Sequence, residues 1–526
     1  MDDTKGQQRR GVRRLVHSSA GITLCTLLST ALGFATQVIL ASYFGTTEQM
    51  DAYLVSLTIP AMVVAVFGGS LNYTFIPVFV EKLSSGEESA AWRIVNDMFS
   101  ISLMVLLPIT LLSSLLAPDV IGATAPGLAN ATKGEAASFF RVQTPVIVFS
   151  GLSALLGSTY YARKRFLYPA LAQVANSATI LLVVSLFAKG FGIRAAAWGG
   201  LAGSALAFFM LVPVLRHIPR FRLSPFPLTQ GTRRVIRLIM PLLCGALFYR
   251  GDDLIQRFIA SSFTAGSISS LAYAFKLVTT CSSLVVSGIS IVLLQHVSEL
   301  ASRKEEGEIG GTFGGTFRWL TFFMMLVISC AVVSGEDGIA VLFQRGKFDA
   351  ASSHLTWQCL VLYAGVMYGG VIGAITTPVF YAYKDTMLVV KVGIAGALLQ
   401  LAFSFLLSRI WSELGLPLAY SLSSLATIST FLAILNRKYV PLPLREMGRS
   451  LLTSGLAAAV AMPLLRHAEN AFLPPLAPLA RLAVMVPLTS LAYLTLAALL
   501  KNEEAMQAAR GAAMMRLRKP ARSILK

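Results

Sequence analysis

Four charged residues lie within two helical turns of one apolar stretch: Arg250, Asp252, Asp253 and Arg257. A guanidinium group can bind phosphate, and a buried carboxylate can bind a cation. Asp253 and Arg257 also have the i,i+4 spacing at which opposite charges on one helix face neutralise each other. The cluster therefore has two interpretations. It is a structural ion pair, or Arg250 and Arg257 bind an anionic substrate while Asp252 or Asp253 binds a coupling ion.

Three further charged residues are candidates because of where they lie along apolar stretches. Lys276 lies two turns inside one of them, too deep for its ammonium group to reach water comfortably, which favours a position in a polar cavity. Asp51 lies where a helix should begin, so it either complements the helix dipole or binds substrate. Arg345 lies in a predicted outer loop, where it anchors the loop or contacts a head group.

The elements that must position these residues are membrane helices. Hydrophobic residues make up 55% of the 526 residues and charged residues only 13%, well below the roughly 25% of soluble domains. Apolar runs of the ~20 residues that cross a bilayer recur along the whole chain. The fold class expected is all-α, a polytopic membrane protein of about fourteen transmembrane helices.

The expected organisation is two six-helix lobes plus two carboxy-terminal helices. Residues 1–18 form a basic amino terminus, and residues 501–526 form a basic tail. Residues 19–222 form the N-lobe with helices one to six, residues 223–440 the C-lobe with helices seven to twelve, and residues 441–500 helices thirteen and fourteen. The predicted helices lie near residues 19–44, 52–80, 94–116, 139–162, 167–188, 195–215, 236–261, 268–297, 317–333, 355–381, 387–407, 416–435, 451–465 and 476–500. Within them Pro60, Pro77, Pro145, Pro241 and Pro378 should cause kinks.

The net charge of +19 reports topology and no nucleic-acid partner, because Lys and Arg lie in short stretches between apolar runs. They crowd alternate connections, which places both termini in the cytoplasm. The basic trio Arg163, Lys164 and Arg165 lies at the cytoplasmic end of the fourth helix. Anionic lipid alone accounts for such a cluster, and collection of an anionic cargo is the alternative.

A faint internal repeat appears when the sequence is shifted by about 220 residues. Ala52–Tyr53 then aligns with Ala272–Tyr273, and Tyr161–Lys164 aligns with Tyr381–Lys384. Because each half begins in the cytoplasm, the halves would be parallel repeats, as in two-lobed transporters.

Short motifs along the first ten predicted helices resemble one known family, the MurJ/MviN lipid II flippases of the MOP transporter superfamily. The most specific is Leu342–Phe348, with the sequence LFQRGKF. The others are Leu32–Phe34, Tyr43–Gly45, Asp51–Tyr53, Phe75–Phe79 and Leu271–Leu277.

The resemblance implies a bundle that carries an undecaprenyl-pyrophosphate-linked saccharide, most simply lipid II, from the inner to the outer leaflet of the bacterial cytoplasmic membrane by alternating access. It further implies a role in peptidoglycan biosynthesis and a monomeric chain without a cofactor. The family's cavity arginines are replaced by Thr30 and Thr36, and the arginines that follow its proline-asparagine pair are missing after Pro60. Lys276 keeps a positive charge at one family head-group position. Either other residues of this protein bind the pyrophosphate of the cargo, or the cargo is another glycan.

Several other functions fit parts of the pattern. The same superfamily contains drug and ion antiporters, and related flippases carry exopolysaccharide or O-antigen units. A transport-inactive scaffold is a further alternative. An enzyme is disfavoured because the longest outer segments, near residues 117–138 and 334–354, contain no paired acid–base motif. No GxxxxGK[ST] motif is present in the sequence, so transport would use an ion gradient, the membrane potential or cargo consumption.

Overall fold

The structure is a computed structural model that describes residues 2–218, 221–223, 228–249, 251–286, 297, 300, 306–383, 385–472 and 477–508. Across these residues the chain is almost entirely helical and contains no strand. The α-helices are α1 Asp2–Phe44, α2 Glu48–Ser84, α3 Glu88–Leu115, α4 Ala117–Thr124, α5 Asn130–Gln143, α6 Val146–Ala162, α7 Leu167–Phe191, α8 Arg194–Leu211, α9 Gln230–Tyr249, α10 Asp252–Ala260, α11 Ser267–Val286, α12 Glu306–Phe343, α13 Ala350–Leu362, α14 Ala364–Ala382, α15 Thr386–Trp411, α16 Gly415–Lys438, α17 Leu444–Phe472 and α18 Pro478–Leu499.

Twelve helical stretches of the described chain are long and apolar enough to cross a membrane. This confirms the all-α polytopic class. One of the twelve, Met387–Lys438, contains both α15 and α16. The predicted helix at 236–261 is not among the twelve; this part of the chain contains α9, which carries three arginines, and α10. The count of fourteen spans therefore stays a prediction.

Two compact units divide the chain. The first contains Met1–Ser269 and Gly346–Phe348, and the second contains Ser270–Arg345 and Asp349–Lys526. The division falls after the predicted lobe boundary at residue 222, because α9 packs against α2 and α3 of the first unit. The two predicted lobes of six helices each stay a prediction.

An aromatic cluster forms the core of the first unit where α2, α3 and α6 meet. Phe75 and Phe79 are fully buried and stack on each other, and Trp92 meets Phe79 edge-on. His217 stacks on the other side of Trp92. Lipid is as apolar as these side chains, so this packing is stabilised by van der Waals contact rather than by removal from water.

In the second unit α12 packs against α17 and α18 along most of its length. Tyr493 is fully buried at this contact, and its hydroxyl donates to the carbonyl of Phe322 at 2.9 Å. At one end of the three helices Arg318 binds Glu446, Glu503 and Glu504. The guanidinium group can satisfy several carboxylates because its donors point in several directions.

Aspartates begin two helices of the second unit. Asp349 accepts hydrogen bonds from the backbone N–H and the hydroxyl of Ser352 at the start of α13, and these bonds lower the pKa of Asp349. Asp385 begins α15 in the same way. The hydroxyl of Tyr439 and the ammonium group of Lys438 donate to Asp385 and lower its pKa to about 2. Both caps satisfy N–H groups that a helix cannot satisfy internally.

Three predicted boundaries differ from the structure. The predicted helix at 139–162 lies within one helical stretch long enough to cross a membrane, Asn130–Ala162, which is divided at Pro145 into α5 and α6. The predicted helix at 355–381 is likewise two helices, α13 and α14. The predicted outer segment at 334–354 is shorter, because α12 continues to Phe343 and carries Glu336 and Asp337 as helical residues. Ion pairs to Arg466 and Arg481 allow these carboxylates to remain in the helix.

Two glycines allow the end of α1 and the segment at Gly346 to lie close together in the first unit. Gly45 and Gly346 both have positive φ, at 57° and 61°. A side chain on Gly346 would meet the carbonyl of Ser42, and the N–H of Lys347 donates to that same carbonyl at 3.0 Å. This contact explains the glycine of the 342–348 motif. A larger residue would have a strained backbone and would push the segments at Ser42 and Gly346 apart.

We expect Gly346→Ala to lower the thermal unfolding midpoint of the purified protein in detergent. The left-handed conformation costs an L-residue about 1–2 kcal/mol, and the methyl group would also displace the Ser42 carbonyl. Gly311→Ala is the matched control, because Gly311 lies in α12 with open space around it and should be neutral or stabilising. Equal midpoints for the two variants would contradict the prediction.

Candidate functional site

Asp51 and Arg257, two of the predicted site residues, bind the same short segment of the first unit. The Asp51 carboxylate is buried and accepts hydrogen bonds from the N–H groups of Gly266 at 2.7 Å and Ser269 at 2.8 Å. The Arg257 guanidinium donates to the carbonyl of Ile268 at 3.0 Å. The segment is the beginning of α11, whose first N–H groups need acceptors. Both residues therefore hold the backbone of this segment.

The rest of the predicted charged cluster is only partly described. Arg250 lies outside the described residues. Asp252 is the first residue of α10, and Asp253 follows it with an exposed side chain. The predicted roles of Arg250 in phosphate binding and of both aspartates in ion coupling stay predictions.

Lys276 and Arg345 belong to the second unit. Lys276 lies on α11 with a partly buried side chain, and its position in a polar cavity stays a prediction. Arg345 is exposed and donates to the carbonyl of Val341, one turn earlier in its own chain. That bond ends helix α12, which agrees with an anchoring role for Arg345 in its loop.

A cavity of about 660 Å³ lies inside the first unit. Helices α1, α2, α6, α7 and α8 surround it, and none of its lining residues is charged. Its volume is within the range of about 300–1,000 Å³ that small-molecule sites occupy. The polar residues that line it are Thr26, Ser29, Thr30, Asn72, Ser150, Ser153, Tyr161, Gln173, Asn176 and Ser204.

The cavity walls present both donors and acceptors of hydrogen bonds. Ser29 bonds the hydroxyl of Ser177 at 2.9 Å, which ties α1 to α7. In the described part of the chain, the buried side-chain oxygens of Ser153 and Asn176 make no hydrogen bond. Polar groups at membrane depth are costly unless they meet a partner or line a polar cavity, so these walls suit a polar ligand.

Thr30 connects the cavity to the pattern that the sequence resembles. The resemblance implies an arginine at this position in other members of the family. Here Thr30 lines the cavity, and its hydroxyl donates to the carbonyl of Thr26 at 2.8 Å. A hydroxyl in place of a guanidinium group changes the wall from a binder of anions to a binder of neutral hydroxyl and amide groups.

Basic residues lie directly after the cavity residue Tyr161. Arg163 lies over the ring of Trp92, 5.3 Å from its centroid, while Lys164 and Arg165 are exposed. Lys164 adopts a positive φ of 58°, which turns the chain sharply between α6 and α7. An uncharged polar cavity therefore lies close in sequence to an exposed cationic turn.

Sequence reasoning missed the cavity because it searched for charged residues. An available indication was the polar run at helical spacing on α1, where Cys25, Thr26, Ser29 and Thr30 recur every three or four residues in an otherwise apolar helix. The contributions from α6, α7 and α8 could not be recognised, because single serines and amides are common inside membrane helices.

Comparison with known proteins gives a consistent result. The sequence model of the family described as "Lipid II flippase MurJ" matches residues 40–473. A protein of Buchnera aphidicola subsp. Acyrthosiphon pisum named "Probable lipid II flippase MurJ" is 26% identical over 77% of this chain and 80% of its own length. The "Lipid II flippase MurJ" of Burkholderia cenocepacia is 24% identical over 82% of this chain and 87% of its own length.

Solved structures agree on the fold. A structure titled "Lipid II flippase MurJ, inward closed conformation" superposes with a TM-score of 0.77 at 19% identity, covering 90% of this chain and 97% of that one. An inward-facing multidrug resistance MATE family transporter of the MOP superfamily has a TM-score of 0.66 at 11% identity, covering 78% and 96%. The resemblance in the sequence is thereby confirmed, and the chain, a multi-pass bacterial membrane protein, belongs to the MurJ lipid II flippase family.

Proposed function

We propose that this protein moves lipid II, a polyprenyl-pyrophosphate-linked saccharide, from the inner to the outer leaflet of the bacterial cytoplasmic membrane. The observation that carries the proposal is the family match over residues 40–473. Both termini lie in the cytoplasm in this proposal, because connections rich in Lys and Arg alternate with connections that contain few of them. The transporter acts as a monomer by alternating access and forms no covalent bond with its cargo.

The cavity of the first unit supports a role in holding the saccharide. Sugars with amide substituents present hydroxyl, carbonyl and N–H groups, which match the serine, threonine and amide side chains of the cavity walls. The cavity also lies next in sequence to the turn at Arg163–Arg165, where cations can attract a pyrophosphate from the cytoplasmic side. The saccharide and the pyrophosphate thus meet separate, chemically suited surfaces.

Lys276 is the proposed cation for the head group inside the membrane, and Arg250 is a second candidate. A pyrophosphate can leave water only if a cation and hydrogen bonds replace its hydration. Asp51 and Arg257 support this arrangement indirectly, because they hold the beginning of α11, the helix that carries Lys276. Arg345 would contact the head group at release.

Expression of this protein should restore growth and outer-leaflet lipid II in bacteria depleted of their own lipid II flippase. Lys276→Ala should lose at least about tenfold in lipid II exposure, the effect of removing ~1.4 kcal/mol of favourable interaction, because the alanine methyl group cannot balance the pyrophosphate charge. Lys276→Arg is the control that keeps the charge and should retain most of the exposure. Failure of the well-expressed wild type would refute lipid II as the cargo.

Filling the cavity should block transport without disturbing the fold. Ala170 lines the cavity from α7, so Ala170→Trp would occupy the space of the saccharide. Leu182→Trp is the matched control on the same helix, because Leu182 is 57% exposed and faces away from the packed interior. Lipid II exposure at equal protein abundance should fall about tenfold or more for Ala170→Trp and stay near wild type for Leu182→Trp. Unimpaired transport by Ala170→Trp would exclude the cavity from the cargo path.

A further inference from the structure

A cluster of ionisable residues lies in the second unit, and none of its members is assigned to the cargo. Three carboxylates, two guanidinium groups and one imidazole form it. They come from four helices: Glu336 and Asp337 on α12, His354 on α13, Arg466 and Glu469 on α17, and Arg481 on α18.

Both arginines of the cluster form ion pairs with its carboxylates. Arg466 bonds Glu336, bonds Glu469 at 3.1 Å, donates to the carbonyl of Val333 at 2.9 Å, and lies over the ring of Trp357. Arg481 bonds one carboxylate oxygen of Asp337 at 2.7 Å. The arginines therefore hold α17 and α18 against the end of α12.

Two carboxylate oxygens remain, one on Asp337 and one on Glu469. Both residues are at least nine-tenths buried, with exposures of 4% and 2%. Within the described residues, neither the Oδ2 of Asp337 nor the Oε1 of Glu469 accepts a hydrogen bond from a donor, although the two carboxyl groups lie within hydrogen-bonding reach of each other. Two buried carboxyl groups can lie this close without repulsion only when one of them carries a proton.

The charge count of the cluster leads to the same result. Three carboxylates face two guanidinium groups, so one negative charge is left over when every carboxyl group is ionised. A single proton on the Asp337–Glu469 pair makes the cluster neutral. A protonated His354 would also supply one positive charge, but this imidazole is half exposed and bonds Glu336.

No other titratable group of the packed helices meets the pair among the described residues. On α12 the neighbouring carboxylate is Glu336, on α17 the neighbouring cation is Arg466, and on α18 it is Arg481. His467, next to Arg466 on α17, is exposed. His354 and Glu336 are partly exposed members of the cluster, and the Arg466 guanidinium joins Glu336 to the buried Glu469.

We propose that Asp337 and Glu469 together form a proton-binding site that links α17 and α18 to α12. With the proton bound, one carboxyl group donates to the other and the cluster is neutral. When the proton leaves to water past Glu336 and His354, two buried carboxylates repel each other and α17 is loosened from α12. The proposal rests on the proposed function only in naming the proton as the ion whose gradient drives transport.

The proton itself can be observed without any transport assay. Infrared difference spectra of the full-length protein in lipid nanodiscs, recorded over a pH series, should contain the carbonyl band of a protonated carboxyl group, shifted in D₂O. Glu469→Gln should abolish that band while keeping the fold, because glutamine has the shape of protonated glutamate and can donate to Asp337. Asp337→Asn should abolish the band as well.

The matched control is Glu504→Gln, which removes another buried carboxylate of the second unit. Glu504 is 3% exposed, but it forms an ion pair with Arg318 and not with a second carboxyl group. Its replacement should therefore leave the band unchanged. A wild-type spectrum without the band, or a band that persists in Glu469→Gln, would overturn the proposal. Loss of the band on adding Na⁺ at constant pH would also overturn it, in favour of a sodium site.

A second measurement tests the link to transport. Lipid II exposure by the wild type should change with external pH, and Glu469→Gln should remove that dependence because the pair can no longer release its proton. A band that behaves as expected in a protein that carries no lipid II would keep the proton site and refute the cargo. An unchanged pH dependence in Glu469→Gln would refute the coupling.

Discussion

The hydrocarbon interior of a membrane offers no water to a charged or polar group, so each such group must be satisfied by the protein itself. Asp51 shows the constraint most plainly. Its buried carboxylate could not remain at membrane depth without the two N–H groups of Gly266 and Ser269, and those N–H groups in turn need an acceptor at the start of α11. Gly266 has a positive φ and lies against Thr46. Because Gly266 has no side chain, its N–H can reach the Asp51 carboxylate.

The same constraint separates the two kinds of polar site in this protein. The cavity of the first unit is uncharged, and its hydroxyl and amide groups can stay in the membrane at moderate cost even without a ligand. The cluster of the second unit is strongly charged, and its ions remain buried only because arginines from α17 and α18 reach carboxylates on α12. A neutral site can bind and release a ligand without any change of its own charge. The stability of a charged cluster, in contrast, changes when a single proton binds or leaves.

The helices and the family could be predicted from the sequence because both depend on local patterns. Apolar runs of membrane length placed most helices within a few residues, and the glycine of the 342–348 motif is explained by its approach to Ser42. Residue roles were harder to predict. Arg257 suggested phosphate binding, and in the structure it donates to the backbone carbonyl of Ile268, eleven residues away at the start of α11. Glu336 and Asp337 were predicted in a loop, since the arginines that keep them helical are more than a hundred residues distant in sequence.

The sequence predicts that Thr30 and Thr36 occupy positions of family arginines, and such a replacement would fit this division of charge. An arginine at position 30 would place an unpaired cation among the uncharged walls of the cavity, where no carboxylate is available to balance it. Thr30 satisfies its own hydroxyl within α1, so the cavity wall is stable in the membrane without bound cargo. A transporter that must release its cargo gains from such a wall, because weak hydrogen bonds to a saccharide exchange more readily with water than ion pairs to a pyrophosphate do. In the proposed function, the exposed cations at Arg163–Arg165 attract the phosphate. Water around these side chains weakens the ion pair, so that the phosphate can dissociate.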